Sequence, residues 1–220
     1  SQGDPSLYAD EAIGEGVGAP SRLMLSFGVL FLDYDLDGRL DLLQTNGHLE
    51  GEINTVDPSQ TYEQAPQLFW NAGLDQRRTF TPVPDDSVGD LSTPLVGRGS
   101  ATADVDGDGD LDLLLTQVGR SPVLLRNDQQ LGNHWLRLKL QGSGSNWQAI
   151  GARVELQSGG VTQSRQVMPT RSYLSQSELP LTFGLGPNES VQSLVVIWPD
   201  GTTQSVSDIA LDTQMTIEKP

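Results

Sequence analysis

The chain has 220 residues, no cysteine and a formal net charge of −16, which arises from 29 acidic and 13 basic residues. Such an acidic protein is a poor partner for nucleic acid or for an anionic membrane surface, and the lack of cysteine excludes disulfides, thiolate metal sites and a catalytic thiol. No apolar run approaches the ~20 residues of a membrane-spanning helix, so we expect no membrane insertion.

Short apolar runs bounded by glycine, proline and polar residues predict β-strands along the first 130 residues. A long excursion from His48 to Pro66 interrupts them, and we expect it to lie over one face of the domain as a candidate contact surface. In chain order the predicted strands are Ser6–Ala12, Ser26–Leu32, a strand beginning at Asp41, Gln67–Asn71, Thr79–Val83, Leu111–Gln117 and Pro122–Asp128.

Two nine-residue turns place aspartates at positions 1, 3, 5 and 9. At ~5 Å and an effective dielectric of ~20, each like-charged pair costs about 3 kcal/mol, so a cation is expected among them. Oxygen ligands on a turn suit a hard cation, and calcium is the first choice. The predicted ligands are Asp33, Asp35, Asp37, Arg39 and Asp41 in the first turn and Asp104, Asp106, Asp108, Asp110 and Asp112 in the second, with Arg39 and Asp110 contributing backbone carbonyls.

These turns are not predicted to be EF-hands, although both contain the D-x-D-x-D-G pattern. An EF-hand needs a bidentate Glu at position 12 and flanking helices. Position 12 is Gln44 in the first turn and Leu115 in the second, and the flanking apolar runs have strand character. Each turn is therefore expected to join two strands. The alternative is a solvated acidic turn without a metal.

The order strand, turn, strand, Asn-ended strand recurs around both turns. Four short strands per unit with a fixed turn motif is typical of a β-propeller blade. Propellers close with ~4–8 blades, whereas this sequence supplies two blades and a fragment at Ser6–Ala12. We expect either that the chain is part of a longer protein that completes the ring or that further copies complete it.

The remaining residues predict a small antiparallel β-sandwich of about seven strands. Leu136, Leu138 and Leu140 alternate with Trp135, Arg137 and Lys139, so one face of that strand is apolar and the other largely charged. Pro199–Gly201 is a hairpin signal. The overall expectation is an all-β chain with domains at residues 1–130 and 133–220.

Both parts resemble known families. The blocks Phe31–Leu42 and Ala103–Leu113 resemble FG-GAP (VCBS) repeats, the blades of integrin-α-type propellers. The segments His134–Leu140, Ile150–Val154, Arg171–Gln176, Phe183–Gly186 and Val195–Gly201 resemble the ASPIC/UnbV domain of proteins related to cartilage acidic protein. The resemblance implies a secreted, calcium-binding propeller that acts by interaction, with the eight aspartates at positions 1, 3, 5 and 9 as calcium ligands.

No catalytic constellation is recognisable, so the chain is not expected to be an enzyme. We expect a calcium-binding, extracellular or periplasmic interaction or adhesion module whose partner is a protein or glycan at the cell surface. Two alternatives stay open: an accessory part of a larger enzyme or biosynthetic protein, and a carbohydrate-binding module that uses Tyr173 in the loop Arg171–Gln176. For that loop the simpler interpretation is that Tyr173 packs on the sandwich edge. His134 is interpreted as a structural residue at the domain junction.

Overall fold

The computed structural model describes residues 9–220 and is all-β, as expected. Two four-residue helices, α1 (Gly18–Ser21) and α2 (Ile53–Val56), and three short 3-10 turns accompany the strands. The strands are β1 (Ser26–Leu32), β2 (Asp41–Asn46), β3 (Gln67–Asn71), β4 (Phe80–Pro82), β5 (Gly97–Ala103), β6 (Asp112–Gln117), β7 (Val123–Leu125), β8 (His134–Gln141), β9 (Arg153–Ser158), β10 (Val161–Gln166), β11 (Leu181–Gly186), β12 (Ser193–Ile197), β13 (Thr203–Ser205) and β14 (Thr213–Glu218).

The first two sheets are antiparallel meanders, in which each strand pairs with the next one in sequence. Strands β1 to β4 form one sheet and β5 to β7 the other. The sheets share a core of buried leucines that includes Leu43 and Leu115, both fully buried. In each sheet the aspartate-rich turn connects the first two strands, with Leu32 opposite Asp41 and Ala103 opposite Asp112. The prediction that strands flank both turns is confirmed.

The second meander has three strands within the described residues, whereas four were expected in each unit. After β7 the chain passes through residues 126–133 and enters β8 of the next sheet. Residues 6–8 of the blade fragment predicted at Ser6–Ala12 lie outside the described residues, and residues 9–12 are not in a strand.

Strands β8 to β14 form a two-sheet sandwich with the expected seven strands. One sheet has the order β10-β9-β12-β13 and the other the order β11-β8-β14. Leu136, Leu138, Val154 and Phe183 are fully buried between them. One pairing differs from the antiparallel expectation, because β14 runs parallel to β8. Parallel pairing needs a crossover, and β14 reaches β8 only after the chain has passed through the other sheet.

The sandwich packs directly on the first aspartate turn. The N–H of Gly186 in β11 donates to the carbonyl oxygen of Leu36 at 2.9 Å, and the side chain of Leu36 is buried. A Cβ atom on Gly184 would lie 2.3 Å from Oδ2 of Asp33 and 2.4 Å from the carbonyl carbon of Leu36. The absence of a side chain at residue 184 therefore permits this close approach.

We predict that Gly184→Ala destabilises the protein by about 1–3 kcal/mol, because the added methyl group has no space beside the turn. Gly51→Ala is the matched control, since no atom lies within 4 Å of its Cβ position. Urea unfolding of both variants measures the difference. Equal free energies of unfolding for the two variants would contradict the packing described.

Candidate metal centres

The first turn, residues 33–41, gathers three carboxylates. One oxygen from each of Asp33, Asp35 and Asp37 lies within 4.8 Å of the others. Asp33 and Asp35 are buried, with 2% and 7% of their surface exposed. Two buried carboxylates and a third beside them form a concentrated negative site of oxygen donors, as the sequence predicted.

The second turn, residues 104–112, gathers the corresponding carboxylates in a more open setting. Oxygens of Asp104, Asp106 and Asp108 also lie within 4.8 Å of one another, and the last two residues are exposed. The side chain of Asp104 is only 4% exposed. The two turns therefore share their arrangement but differ in access to water.

The backbone of both turns follows the same path. Position 4 has a positive φ in each turn, at Leu36 (60°) and Gly107 (83°), and so does position 6, at Gly38 (95°) and Gly109 (102°). Glycine is favoured in this conformation because it has no Cβ. The N–H of position 6 donates to the carboxylate of position 1 in both turns, at 2.9 Å and 3.2 Å.

The aspartates at position 9 close the turns and are not members of the three-carboxylate groups. Asp41 accepts hydrogen bonds from the N–H groups of Tyr34 (3.1 Å) and Asn71 (2.7 Å). Asp112 accepts them in the same way from Val105 and Asn127, both at 2.8 Å. The two asparagines were visible in the sequence as the ends of the third strands, but their role as partners of position 9 was missed.

Position 7 differs between the turns. In the first turn the guanidinium of Arg39 pairs with the carboxylate of Asp37, which places a cation beside the predicted ligand. In the second turn position 7 is Asp110, a buried residue whose Oδ1 atom has no hydrogen-bond partner. Asp110 was predicted to contribute through its carbonyl, and its carboxylate is a further candidate donor.

Burial makes three carboxylates of the turns, those of Asp33, Asp41 and Asp110, hard to ionise. Burial first, and the charge of Asp37 next, raise the pKa of Asp33 to about 7. Burial raises the pKa of Asp41 to about 8 despite its two backbone hydrogen bonds. Burial and the neighbouring Asp108 raise the pKa of Asp110 to about 8. Oδ1 of Asp33 is also buried without a hydrogen-bond partner.

The sandwich supplies an arginine to each turn. Nε of Arg137 lies 3.1 Å from Oδ2 of Asp104, and both side chains are 4% exposed. The same guanidinium binds both carboxylate oxygens of Glu178 at 2.8 Å. Arg165 lies near Asp33, and its positive charge partly opposes the rise in the pKa of that carboxyl.

Arg137 and Lys139 lie on the charged face of β8 but differ in burial. Lys139 is exposed, whereas Arg137 is only 3% exposed. The difference arises because β8 continues beneath Asp104 and Glu178, whose carboxylates hold the guanidinium.

The other features that the sequence analysis singled out, His134, the loop Arg171–Gln176 and the excursion after β2, make contacts that stabilise the fold. His134 pairs with Asp212 at 2.8 Å at the start of β8. The ring of Tyr173 packs edge-on against Phe27 of β1, with centroids 5.2 Å apart, so it contacts the first meander. Arg171 donates to the carbonyl oxygens of Met168 and Gln166.

The excursion after β2 is joined to the rest of the domain by an isolated antiparallel β-bridge between Gln64 and Leu95.

Fold and site define an all-β protein with two aspartate turns covered by a β-sandwich. Residues 142–220 match the family model described as ASPIC and UnbV, so an ASPIC/UnbV domain is present in the sandwich. Strand β8 precedes the matched residues, although it pairs with both β11 and β14. Comparison with curated proteins finds no match. Within residues 9–220, no helix has the length and apolar character needed to cross a bilayer.

In EDTA, we predict that stability falls as pH rises from about 4 to 8. The folded-state pKa values of Asp33, Asp41 and Asp110 lie above the unfolded value of 3.8, so the folded protein holds more protons in this range. Each group contributes a slope of up to about 1.4 kcal/mol per pH unit.

Urea unfolding at pH 5, 6, 7 and 8 measures this slope. Asp110→Asn, which mimics the protonated carboxyl, should reduce it, and Asp86→Asn at an exposed position should not. Stability that stays constant or rises with pH in EDTA would contradict the prediction.

A further prediction concerns the buried arginine. Arg137→Met should cost about 3–5 kcal/mol, because it leaves the carboxylates of Asp104 and Glu178 without their cation. Lys139→Met, on the same face of β8, should cost less than about 1 kcal/mol. Thermal or urea unfolding compares the stability of the two variants. A similar decrease in the free energy of unfolding for both would show that the guanidinium of Arg137 does not stabilise the fold.

Proposed function

We propose that the chain is a calcium-binding interaction module in which two FG-GAP-type propeller blades precede an ASPIC/UnbV sandwich. In this proposal each aspartate turn holds one calcium ion. The meander order of the first two sheets, with a turn of fixed spacing between their first two strands, supports the assignment of these sheets as blades.

One observation carries the calcium proposal: buried carboxylate oxygens without partners at the clustered turns. Oδ1 of Asp33 and Oδ1 of Asp110 are both buried and lack a hydrogen-bond partner. A buried polar atom without a partner costs about 1–3 kcal/mol, and more if it is charged. A divalent cation among the carboxylates would satisfy these oxygens and remove their mutual repulsion.

The donor set fits calcium better than a transition metal. Within residues 9–220 the clustered groups are carboxylates only, with no histidine among them, and hard oxygen donors favour calcium or magnesium. Asp33, Asp35 and Asp37 would hold the first ion, and Asp104, Asp106 and Asp108 the second. The ion would supply positive charge that stabilises the turn, and the chain's own residues would fix the shape of the site.

Sites of this kind suit compartments with roughly millimolar calcium, so we propose an extracellular or periplasmic location. The partner would be a protein or a glycan at the cell surface. We assign no catalytic role to the described residues, because the clustered carboxylates are those assigned to the metal.

We predict that calcium raises the thermal midpoint relative to EDTA, by an amount that follows the ion's occupancy. Calorimetric titration should find two ions in the wild type and one in either Asp35→Asn or Asp106→Asn. The double variant should bind none. Because calcium binds the deprotonated carboxylates, its stabilising effect should grow between pH 5 and pH 8.

Asp75→Asn is the matched control, since Asp75 is exposed and lies outside both turns. It should bind two ions with unchanged affinity. An identical thermal midpoint in calcium and in EDTA would overturn the proposal. Binding of two calcium ions by the double variant would also overturn it.

A further inference from the structure

A cavity of about 310 Å³ lies between the first meander and the sandwich; it adjoins the first aspartate turn, whose Asp33 is among its lining residues. One wall is β1, and the opposite wall is the connection between β10 and β11, residues 167–180, together with the start of β11. Leu40 and Leu111, each at position 8 of an aspartate turn, lie at its base. The cavity volume is at the lower end of the range for small-molecule sites, ~300–1,000 Å³.

The walls are mostly apolar and open to solvent at one side. Val29, Phe31 and Met168 line the cavity, and they are 41%, 53% and 47% exposed. A concave apolar surface that is accessible to solvent can bind the hydrocarbon part of a ligand.

Two guanidinium groups, of Arg165 and Arg171, project into this apolar setting. Neither lies within 4.0 Å of a carboxylate of residues 9–220. Arg165 donates to Oε1 of Gln163 and to the carbonyl of Ser164, and Arg171 donates to the carbonyls of Met168 and Gln166. These partners are neutral, so neither guanidinium forms a salt bridge among the described residues, although the charge of Asp33 acts on Arg165.

The acidic groups of the cavity make their hydrogen bonds and ion pairs with other residues. Both oxygens of Glu178 are held by Arg137. Asp33 is directed at the first aspartate turn, where its Oδ2 accepts the N–H of Gly38. Burial lowers the pKa of Arg165 and of Arg171; for Arg165 the charge of Asp33 opposes this change and the charge of Arg171 adds to it. The two cations are therefore partly desolvated and repel each other.

The wall that carries Arg171 is fixed to the first part of the chain. Oγ of Ser172 lies 2.7 Å from Oγ of Ser100, and the N–H of Thr102 donates to Oγ of Ser177 at 3.1 Å. These contacts hold the segment against β5 without any ligand, so little ordering would be needed on binding.

We propose that this cavity binds a small organic acid with an apolar body, whose carboxylate is held by Arg165 and Arg171. A guanidinium presents paired N–H donors that match the two oxygens of a carboxylate. The anion would reduce the repulsion between two adjacent cations, and the apolar body would cover Val29, Phe31 and Met168. At ~30 Å³ for each water-sized group, the volume accommodates roughly ten non-hydrogen atoms.

Isothermal titration calorimetry with octanoate, octanol and inorganic phosphate tests this proposal, because the three probes separate charge from apolar body. Octanoate should bind at least tenfold more tightly than either of the others. Arg165→Gln and Arg171→Gln should each weaken octanoate binding about tenfold or more. Arg153→Gln, which replaces an exposed arginine of β9, should leave it unchanged.

Met168→Glu provides a second test that leaves both arginines in place. This residue is half-exposed, so the variant should fold, and the new carboxylate at the cavity should repel octanoate and weaken its binding. Circular dichroism and thermal unfolding verify that each variant is folded. The proposal is overturned if octanoate does not bind, if octanol or phosphate binds equally well, or if the folded cavity variants bind octanoate as tightly as Arg153→Gln does.

Discussion

The burial of two aspartate turns beneath the sandwich is the constraint on which the rest of the structure depends. Carboxylates repel one another and lose hydration when covered, so the covering domain must compensate them. The structure does so with Arg137 against Asp104 and with Arg165 near Asp33. It also needs Gly184 opposite the first turn, because a side chain there would collide with Asp33.

The two turns consequently differ as candidate cation sites. The first is buried, and Arg39 pairs with its position 5 carboxylate. The second is more open, but its position 1 carboxylate is shared with Arg137. An ion in the second turn would lie close to a fixed positive charge, whereas an ion in the first would have to enter a covered site. We therefore expect the second site to exchange its ion faster and the first to release it more slowly.

The strands and the grouping of aspartates in the two turns were largely predictable, because they depend on local sequence. Alternation identified β8 and β9, and the spacing of aspartates identified both turns. The position of the sandwich over the turns was not predictable, since it depends on contacts between distant residues. Arg137 illustrates the reason: alternation assigns it to the polar face of β8, and only the presence of Asp104 and Glu178 on that face makes it a buried residue. The parallel pairing of β14 with β8 likewise leaves no mark in local sequence.

The contact between Leu36 and Gly186 has a consequence for the order of events during synthesis on the ribosome. Leu36 holds a left-handed backbone, at φ 60°, that is unfavourable for a leucine, and its carbonyl meets an N–H that the ribosome adds 150 residues later. Such long-range contacts form slowly. The hydrogen bond and the covering contacts of β11 can therefore form only after residues 181–186 have been synthesised, and until then the first turn lacks them.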